Sequence, residues 1–195
     1  MLASITPLGE RGRGNRWTTT AALFIVASTT AGAAVGAVLG LLGSLVVAQV
    51  GIGWRLGVLG AALALGVVWE LGRSTVPGPR RQVNERWLDR YRRWIYASGF
   101  GAQLGIGVVT IVVTSAVYAV WAAAVVSARP GAGAAIGAAA GAMRGASLLA
   151  AAGATTPQRL VGLHERLEAI NRPVRRGTLT AQLALVGIAA LVVVV

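Results

Sequence analysis

The chain contains no cysteine and no lysine, and its acidic residues are few. Without cysteine it forms no disulfide, no thiol redox relay and no metal site with thiolate ligands. Among one histidine and 6 acids, His164 lies with Glu165 and Glu168 on the polar side of a predicted surface helix, where a metal site would need more ligands. No cluster of such residues lies at membrane depth. We therefore expect no enzyme activity, no metal and no cofactor.

Apolar sequence is abundant instead: 55% of the residues are hydrophobic, and the mean hydropathy is +0.69. Five apolar stretches are long enough, or nearly so, to cross a hydrocarbon layer of about 30 Å. They cover residues 18–50, 54–72, 95–128, 131–153 and 178–195. The sequence therefore predicts an all-α integral membrane protein with about five transmembrane helices, or six if a broken or re-entrant piece is counted.

The 18 basic side chains, all of them arginine, are distributed unevenly. Most lie in three segments, residues 11–16, 73–93 and 159–176, whereas the two short turns hold only Arg55 and Arg129. Because cytoplasmic loops are enriched in basic residues, we predict a multi-pass protein of the cell membrane with a cytoplasmic N-terminus and an outside C-terminus. The net charge of +12 then reflects topology and attraction to anionic lipids at the cytoplasmic face, so we expect no nucleic-acid partner.

The chain divides into two related halves. A shift of 80 residues superposes Pro77 on Pro157 and the Glu-Arg pair at 85–86 on the pair at 165–166. We predict that each half is a helical hairpin followed by an amphipathic basic helix at the membrane surface, the second of which ends at Pro173. The predicted parts are a flexible basic cytoplasmic lead, a first repeat, a second repeat and a C-terminal transmembrane helix, over residues 1–17, 18–93, 94–177 and 178–195.

The first apolar stretch is longer than a bilayer is thick. A straight helix of its 33 residues would reach about 50 Å, so it must tilt, protrude or break. If the helix breaks, we expect the break at Ser28, the two threonines after it and the glycines that follow. The long stretch of the second half has a similar excess length.

Glycines recur at every fourth residue in two of the spans. They are Gly133, Gly137, Gly141 and Gly145 in the fourth span and Gly32, Gly36 and Gly40 in the first. Small residues at this spacing form a smooth strip along a helix, which lets two backbones approach closely in a membrane. The sequence therefore predicts helix packing through glycine seams.

The few polar side chains at membrane depth are the candidate site residues. Arg144 lies near the middle of the fourth span, where an arginine costs roughly 2.5 kcal/mol or more unless it snorkels, pairs or faces water. Glu70, near the end of the second span, is either an interfacial carboxylate in water or a partner of Arg144. One face of the third span carries Gln103, Thr110, Thr114 and Tyr118. That face is either a helix contact or the wall of a substrate path.

Two segments carry a family resemblance; they read ITPLGERGRGNRW and RQVNERWLDRYRRWIYASGFGAQLGIGVVT. They resemble actinobacterial membrane proteins grouped with the cytochrome c biogenesis (CcdA/DsbD-like) and sulfite-exporter-like transmembrane families. The resemblance implies a small membrane body with two related halves of three spans each, whereas hydropathy predicts two spans per half here. The redox families carry a Pro-Cys feature in the first helix of each half. This chain has Thr30 and Thr110 there, so electron transfer by thiols is excluded.

Two classes of function are compatible with these features. The first is a transporter or permease-like body, in which the polar face of the third span lines a path and Arg144 attracts a small anion. The second is a non-catalytic membrane subunit or scaffold, which packs through glycine-rich helices and docks a partner through its basic cytoplasmic face. Its partners are further copies of the chain or other members of a membrane complex. The sequence slightly favours the transporter.

Overall fold

The computed structural model describes residues 5–72, 86–107 and 114–194. Throughout these ranges the regular elements are helices, which confirms the all-α class. They are α1 Pro7–Gly12, α2 Trp17–Val46, α3 Ile52–Gly72, α4 Trp87–Arg90, α5 Arg93–Ile106, α6 Ala116–Ser127, α7 Pro130–Ala146, a 3₁₀ helix Ser147–Ala151 and α8 Pro157–Val194.

Three of the described helices are long and apolar enough to cross a membrane: α2, α3, and α7 together with the 3₁₀ helix. α6 is apolar but shorter. Large hydrophobic side chains point outward from these helices, and Leu45, Trp54 and Leu65 are 76%, 76% and 71% exposed. Such surfaces are costly in water but match the acyl chains of a bilayer. The structure thus agrees with membrane association.

α2 is the central helix, and α7 packs antiparallel along it through the predicted glycine seam. Gly32 and Gly36 lie against the carbonyl groups of Gly137 and Gly133. A Cβ atom at any of these four positions would overlap a backbone carbonyl of the facing helix. The other seam glycines are buried as well; they are Gly40, Gly141 and Gly145. The two backbones are therefore in direct contact, as small residues allow.

α5 lies on another side of α2 and runs parallel to it. Gly101 and Gly105 face the carbonyl groups of Phe24 and Ser28, where an added Cβ would again overlap the backbone. The Ser28 hydroxyl donates to the carbonyl of Gly141 at 2.7 Å. Three helices thus meet around Ser28. We call α2, α5, α6 and α7 the glycine core.

The hydrophobic core closes one end of the bundle. It lies where the N-terminal lead, α2, α4, α5 and the 3₁₀ helix come together. Its buried side chains are Ile5, Ala21, Phe24, Leu88, Tyr96, Ala97, Phe100 and Leu148. The aromatic rings pack against one another, since Trp87 stacks on Phe100 with centroids 5.8 Å apart.

α3 and α8 form a pair beside the glycine core. They run antiparallel, because Gly60 faces Ala189 and Glu70 faces Arg175. α3 also contacts α6. The residues of α8 before Arg175 extend past Gly72, the last residue of α3. The pair thus touches the glycine core through α3, which packs on α6, and through Gln182 of α8, which bonds to Ser115 at the start of α6.

The N-terminal lead differs from the flexible segment that was predicted, and the structure decides among the alternatives left open for the first span. The described part of the lead is folded, because α1 packs on the bundle and the Leu8 amide donates to the carbonyl of Ala154 at 3.2 Å. α2 continues without a break at Ser28. The hydroxyl groups of Thr29 and Thr30 donate to carbonyl groups four residues earlier, so these polar side chains are satisfied inside an unbroken helix.

The third predicted span is interrupted instead. α5 ends at Ile106, the following Gly107 is left-handed with φ of 91°, and α6 begins at Ala116. Glycine adopts this conformation at little cost because it lacks a Cβ, so Gly107 ends α5. Residues 108–113, which include the candidate Thr110, lie outside the described residues.

The last two predicted elements form one helix, so the predicted helix end at Pro173 was wrong. α8 runs from Pro157 to Val194 with Pro173 inside it. A proline removes one helical hydrogen bond, and a contact with a neighbouring helix can offset that loss. Arg175, two residues later, supplies such a contact with the end of α3. The first predicted surface helix is described only from residue 86, and Leu88 there belongs to the hydrophobic core.

Candidate functional site

Arg144, the candidate charge of the fourth span, reaches the end of a neighbouring helix. Its Nη1 atom donates to the carbonyl of Leu104 at 3.3 Å. Leu104 lies in the last turn of α5, where the final carbonyl groups have no partner within the helix. The guanidinium supplies a donor and a positive charge at the negative end of the helix dipole. Arg144 therefore caps the C-terminus of α5.

A cavity of about 20 Å³ lies beside Arg144, between α2, α6 and α7. Its wall is mostly apolar and includes Trp121, and the glycine seam forms the opposite side. A space of this size holds about one water molecule. The predicted path residues Gln103, Thr114 and Tyr118 do not line it. Around Arg144, the described residues are therefore closely packed.

The polar face predicted on the third span is divided among different contacts. Thr114 donates to the carboxylate of Glu70 at 3.1 Å. The ring of Tyr118 meets Trp121 edge to face, with centroids 6.2 Å apart. Gln103 is half-buried on α5. Among the residues that the structure describes, this face is not one continuous wall.

Glu70 belongs to α3, and its side chain is buried against the start of α6, with 2% of it exposed. Its Oε2 atom accepts hydrogen bonds from the Ser115 amide at 3.0 Å and from the Ser115 hydroxyl at 2.8 Å. An anion at this place pairs with helix amide groups and is favoured by the positive end of the dipole. Glu70 therefore caps the N-terminus of α6, and it is neither exposed to water nor bonded to Arg144.

Two residues of α8 complete this network, which joins three helices. Nη2 of Arg175 donates to the backbone carbonyl of Glu70 at 2.6 Å, and Nε lies 3.5 Å from Oε1 of the carboxylate. The amide oxygen of Gln182 lies 3.1 Å from the Ser115 hydroxyl. We call Glu70, Thr114, Ser115, Arg175 and Gln182 the Glu70 node. It connects α3, α6 and α8.

The Glu70 node is incompletely paired. Among the described residues, Oε1 of Glu70 and Nε2 of Gln182 are buried without a hydrogen-bond partner. The Ser115 hydroxyl has one proton, which goes to Glu70 because that contact is shorter, so the Gln182 oxygen gains little. With the amide reversed, its nitrogen would donate to Ser115 and its oxygen would be unpaired. Either orientation leaves at least one buried polar atom of Gln182 without a hydrogen-bond partner among the described residues.

Three arginines share one structural role. Arg144 bonds to the end of α5, and Arg175 bonds to the end of α3. In the same way, Nε of Arg55 donates at 2.9 Å to the carbonyl of Val126, one residue before the end of α6. Unpaired carbonyl groups are costly in hydrocarbon, and hydrogen bonds from a charged donor are strong ones. Each of these arginines therefore pairs with a carbonyl group near the C-terminal end of a helix, and for Arg144 this end lies at membrane depth.

A second buried carboxylate, Glu10 of α1, escaped the sequence predictions. Its side chain is fully buried, with 0% exposed. One oxygen accepts from Arg13 at 2.7 Å and the other from the Thr20 hydroxyl at 2.6 Å. The Tyr96 hydroxyl lies 2.9 Å and 2.8 Å from the two oxygens. We call Glu10, Arg13, Thr20 and Tyr96 the Glu10 node, in which both carboxylate oxygens are paired.

The surroundings of Arg13 keep its guanidinium charged. Burial is the largest single influence and lowers the pKa of Arg13. The hydrogen bond and negative charge of Glu10, together with Tyr96, raise the pKa and outweigh burial. The net pKa lies above the ordinary value. The guanidinium also lies 5.9 Å from the centroid of the Tyr96 ring. Arg13 is therefore a permanent counter-charge for the buried carboxylate.

The sequence contained a signal for part of this node. Thr6 accepts a hydrogen bond from the Gly9 amide, and Pro7 is the first residue of α1. A Thr-Pro pair followed by an acid three residues on predicts a helix start, as the Thr-Pro pair at 156–157 does for α8. The partner Tyr96 is 86 residues away from Glu10, so no local pattern could have identified it.

No protein-family model, no curated protein and no solved structure matches this chain. The resemblance to the cytochrome c biogenesis and sulfite-exporter-like families therefore stays a prediction. The function has to be argued from the geometry of the helices and of the two nodes.

Proposed function

We propose that this chain is a non-catalytic membrane subunit or scaffold. The observation that supports this is the bonding of Arg144 to the Leu104 carbonyl, beside a cavity of about 20 Å³. A fixed charge that attracts a passing anion needs a hydrated approach, and a one-water cavity offers little of it. The charge instead holds a helix end within a closely packed core. Under this proposal, the polar groups at membrane depth serve the assembly of the protein.

The proposed topology has five crossings, with a cytoplasmic N-terminus and a C-terminus outside. The antiparallel arrangement of α2 with α7, and of α3 with α8, supports alternating crossings. The basic residues of the lead, of α4 and of the first half of α8 then share the cytoplasmic side. That side offers a positively charged surface to anionic lipids and to an acidic partner protein.

The variant Arg144→Met tests the scaffold proposal, because it keeps an unbranched side chain close to the aliphatic part of arginine and removes the cap. We expect it to lose about 1–3 kcal/mol of unfolding free energy, measured in mixed detergent micelles. Arg129→Met, in an exposed turn, is the matched control and should lose less than about 0.5 kcal/mol. Vesicles containing the wild-type protein should show no chloride or nitrate flux above protein-free vesicles.

A second candidate is a transporter for a small anion, and the interruption at Gly107 favours it. α5 ends close to Ser28, which lies near the middle of α2, and α6 begins at the Glu70 carboxylate. Helices that are interrupted at membrane depth with charged groups at their ends form the substrate sites of many transporters. This candidate predicts saturable anion flux in vesicles, which Arg144→Met abolishes without loss of folding stability. That pair of results would overturn the scaffold proposal.

A further inference from the structure

A pocket of about 490 Å³ lies between the 3₁₀ helix and the start of α8, and no residue of either node lines it. One side is formed by the small residues Ala150, Gly153 and Ala154. The other side is a face of α8 and includes Gly162 and Leu163. Because these residues are small or apolar, the pocket has room for a ligand and an apolar lining.

All polar side chains that line the pocket can donate hydrogen bonds, and two of the three are positively charged. They are Gln158, Arg159 and Arg166, and no acidic side chain lines the pocket in the part of the chain that the structure describes. Arg159 is positioned by a hydrogen bond from Nη1 to the Thr155 hydroxyl at 3.3 Å. Arg166 makes no hydrogen bond or ion pair with the described residues. The positive end of the α8 dipole lies at the same place. The pocket therefore suits an anion.

The position of the pocket narrows the chemistry of that anion. The apolar helix Pro130–Ala151 ends where the pocket begins. If this helix crosses the bilayer, the pocket lies at the level of the lipid headgroups, with Leu163 on its apolar side. Guanidinium groups bind phosphate through paired hydrogen bonds, and the aliphatic part of their side chains rests on apolar surface.

We propose that this pocket binds the phosphate of an anionic phospholipid, with Arg159 and Arg166 as its ligands and Gln158 as a further donor. This inference rests on the membrane placement of α7 and is independent of the scaffold role. The chemistry recognised is that of a phosphate ester. A soluble phosphate presents the same group, so the experiment must separate the two sources.

The steric test uses the full-length protein in phosphatidylcholine nanodiscs with increasing fractions of phosphatidylglycerol, and native mass spectrometry counts the retained lipid. Gly162→Leu fills the pocket without a change of charge, since nothing lies within 4 Å of a Cβ at this position. Gly177→Leu is the matched control, because it is on the same helix and equally unobstructed. We expect retention of phosphatidylglycerol to fall about tenfold in Gly162→Leu and less than about twofold in Gly177→Leu.

The charge test compares two pairs of substitutions with the same change of net charge. Arg159→Gln with Arg166→Gln should weaken retention about 30-fold, about fivefold for each guanidinium. Arg90→Gln with Arg176→Gln, both exposed and outside the pocket, should weaken it less than about threefold. Equal losses in the two pairs would show a diffuse surface attraction and overturn the pocket.

The phosphate test separates the two sources of the ligand. Inorganic phosphate at tens of millimolar should leave the retained phosphatidylglycerol unchanged; displacement at lower concentration would assign the pocket to a soluble phosphate and overturn the lipid proposal. Retention of phosphatidylcholine as strong as that of phosphatidylglycerol would also overturn it. The flux and unfolding measurements on Arg144 do not involve this pocket, so each proposal can fail alone.

Discussion

Glu10 and Glu70 are both buried carboxylates, but they are paired to different extents. Both oxygens of Glu10 accept hydrogen bonds from side chains, whereas Oε1 of Glu70 accepts none from the described residues. The Glu10 node connects α1 to α2 and α5, which are two helices of the glycine core. The Glu70 node ties the α3–α8 pair to α6. The two nodes therefore mark two regions that are held together differently.

The difference shows which helices are held together tightly and which are held together more loosely. In the glycine core, backbones touch at the seam, and the adjoining carboxylate has its full set of partners. Between α3 and α8, the contact at Gly60 is with a side chain. There, Oε1 of Glu70 has an ion pair with Arg175 but no hydrogen bond from the described residues, and Nε2 of Gln182 has no hydrogen bond from them either. A buried carboxylate with both oxygens hydrogen-bonded is costly to remove, and one with a single hydrogen-bonded oxygen contributes less. Equivalent substitutions should therefore cost more at the Glu10 node and in the core.

The largest effect is expected for Glu10→Ala. It removes the partner of Arg13, Thr20 and Tyr96 at once and leaves a partly buried guanidinium without its counter-charge. Breaking a buried ion pair in this way costs about 3–5 kcal/mol of unfolding free energy. Reversible unfolding in mixed micelles measures it, with Glu168→Ala, an exposed acid on α8, as the control. A loss below about 1 kcal/mol would contradict the structural role assigned to the Glu10 node.

An intermediate effect is expected at the glycine seam, in a comparison of two identical substitutions. Gly36→Ala drives a methyl group into the backbone carbonyl of Gly133, which cannot move without separating α2 from α7. Gly60→Ala brings a methyl group to 3.2 Å from the Cβ atom of Ala189, so α8 has to move by only a few tenths of an ångström. We expect Gly36→Ala to cost about 1–3 kcal/mol, whereas Gly60→Ala should change stability by less than about 0.5 kcal/mol.

The same unfolding assay checks this comparison. Alanine is a better helix former than glycine by up to about 1 kcal/mol, which works in favour of both variants and cannot explain a difference between them. Equal losses in the two variants would mean that the α3–α8 contact is packed as closely as the seam.

The smallest effect is expected for Gln182→Leu. The substitution removes a buried amide that cannot pair both of its polar atoms, and it leaves the hydrogen bond from Ser115 to Glu70 in place. Replacing an incompletely paired polar group by an apolar one of similar size is neutral or stabilising, by up to about 1 kcal/mol. A loss of stability of that size in the unfolding assay would show that the amide fastens α8 to α3.

The features that follow from local pattern could be predicted from the sequence. The helical class and the membrane-like helices follow from the length and hydropathy of the apolar stretches. The two glycine strips follow from glycines at every fourth residue, such as Gly32 and Gly36 and their counterparts on α7. The structure adds which strips pair and in which direction. The two related halves stay a prediction; their long stretches differ, since α2 is continuous and α5 ends at Gly107.

The roles of the charged residues could not be read from the sequence in the same way. Arg144 and Glu70 each act on the end of another helix, and which end lies within reach depends on how the helices pack. Hydropathy identifies a charge in a span but not its partner. Pro173 shows the same limit, because its effect depends on the contact that Arg175 makes with α3.

The central claim is that the core around Arg144 is closed, and the absence of cysteine makes it directly measurable. In a single-cysteine variant, the introduced thiol is the only one in the protein. Ala140→Cys places it in the cavity beside Arg144, and Gly51→Cys places it in an open turn. An anionic, membrane-impermeant thiol reagent is then applied to vesicles that hold each variant. We predict rapid modification of Gly51→Cys and none of Ala140→Cys; modification of both at similar rates, slowed at Ala140→Cys by chloride or nitrate, would contradict the closed core.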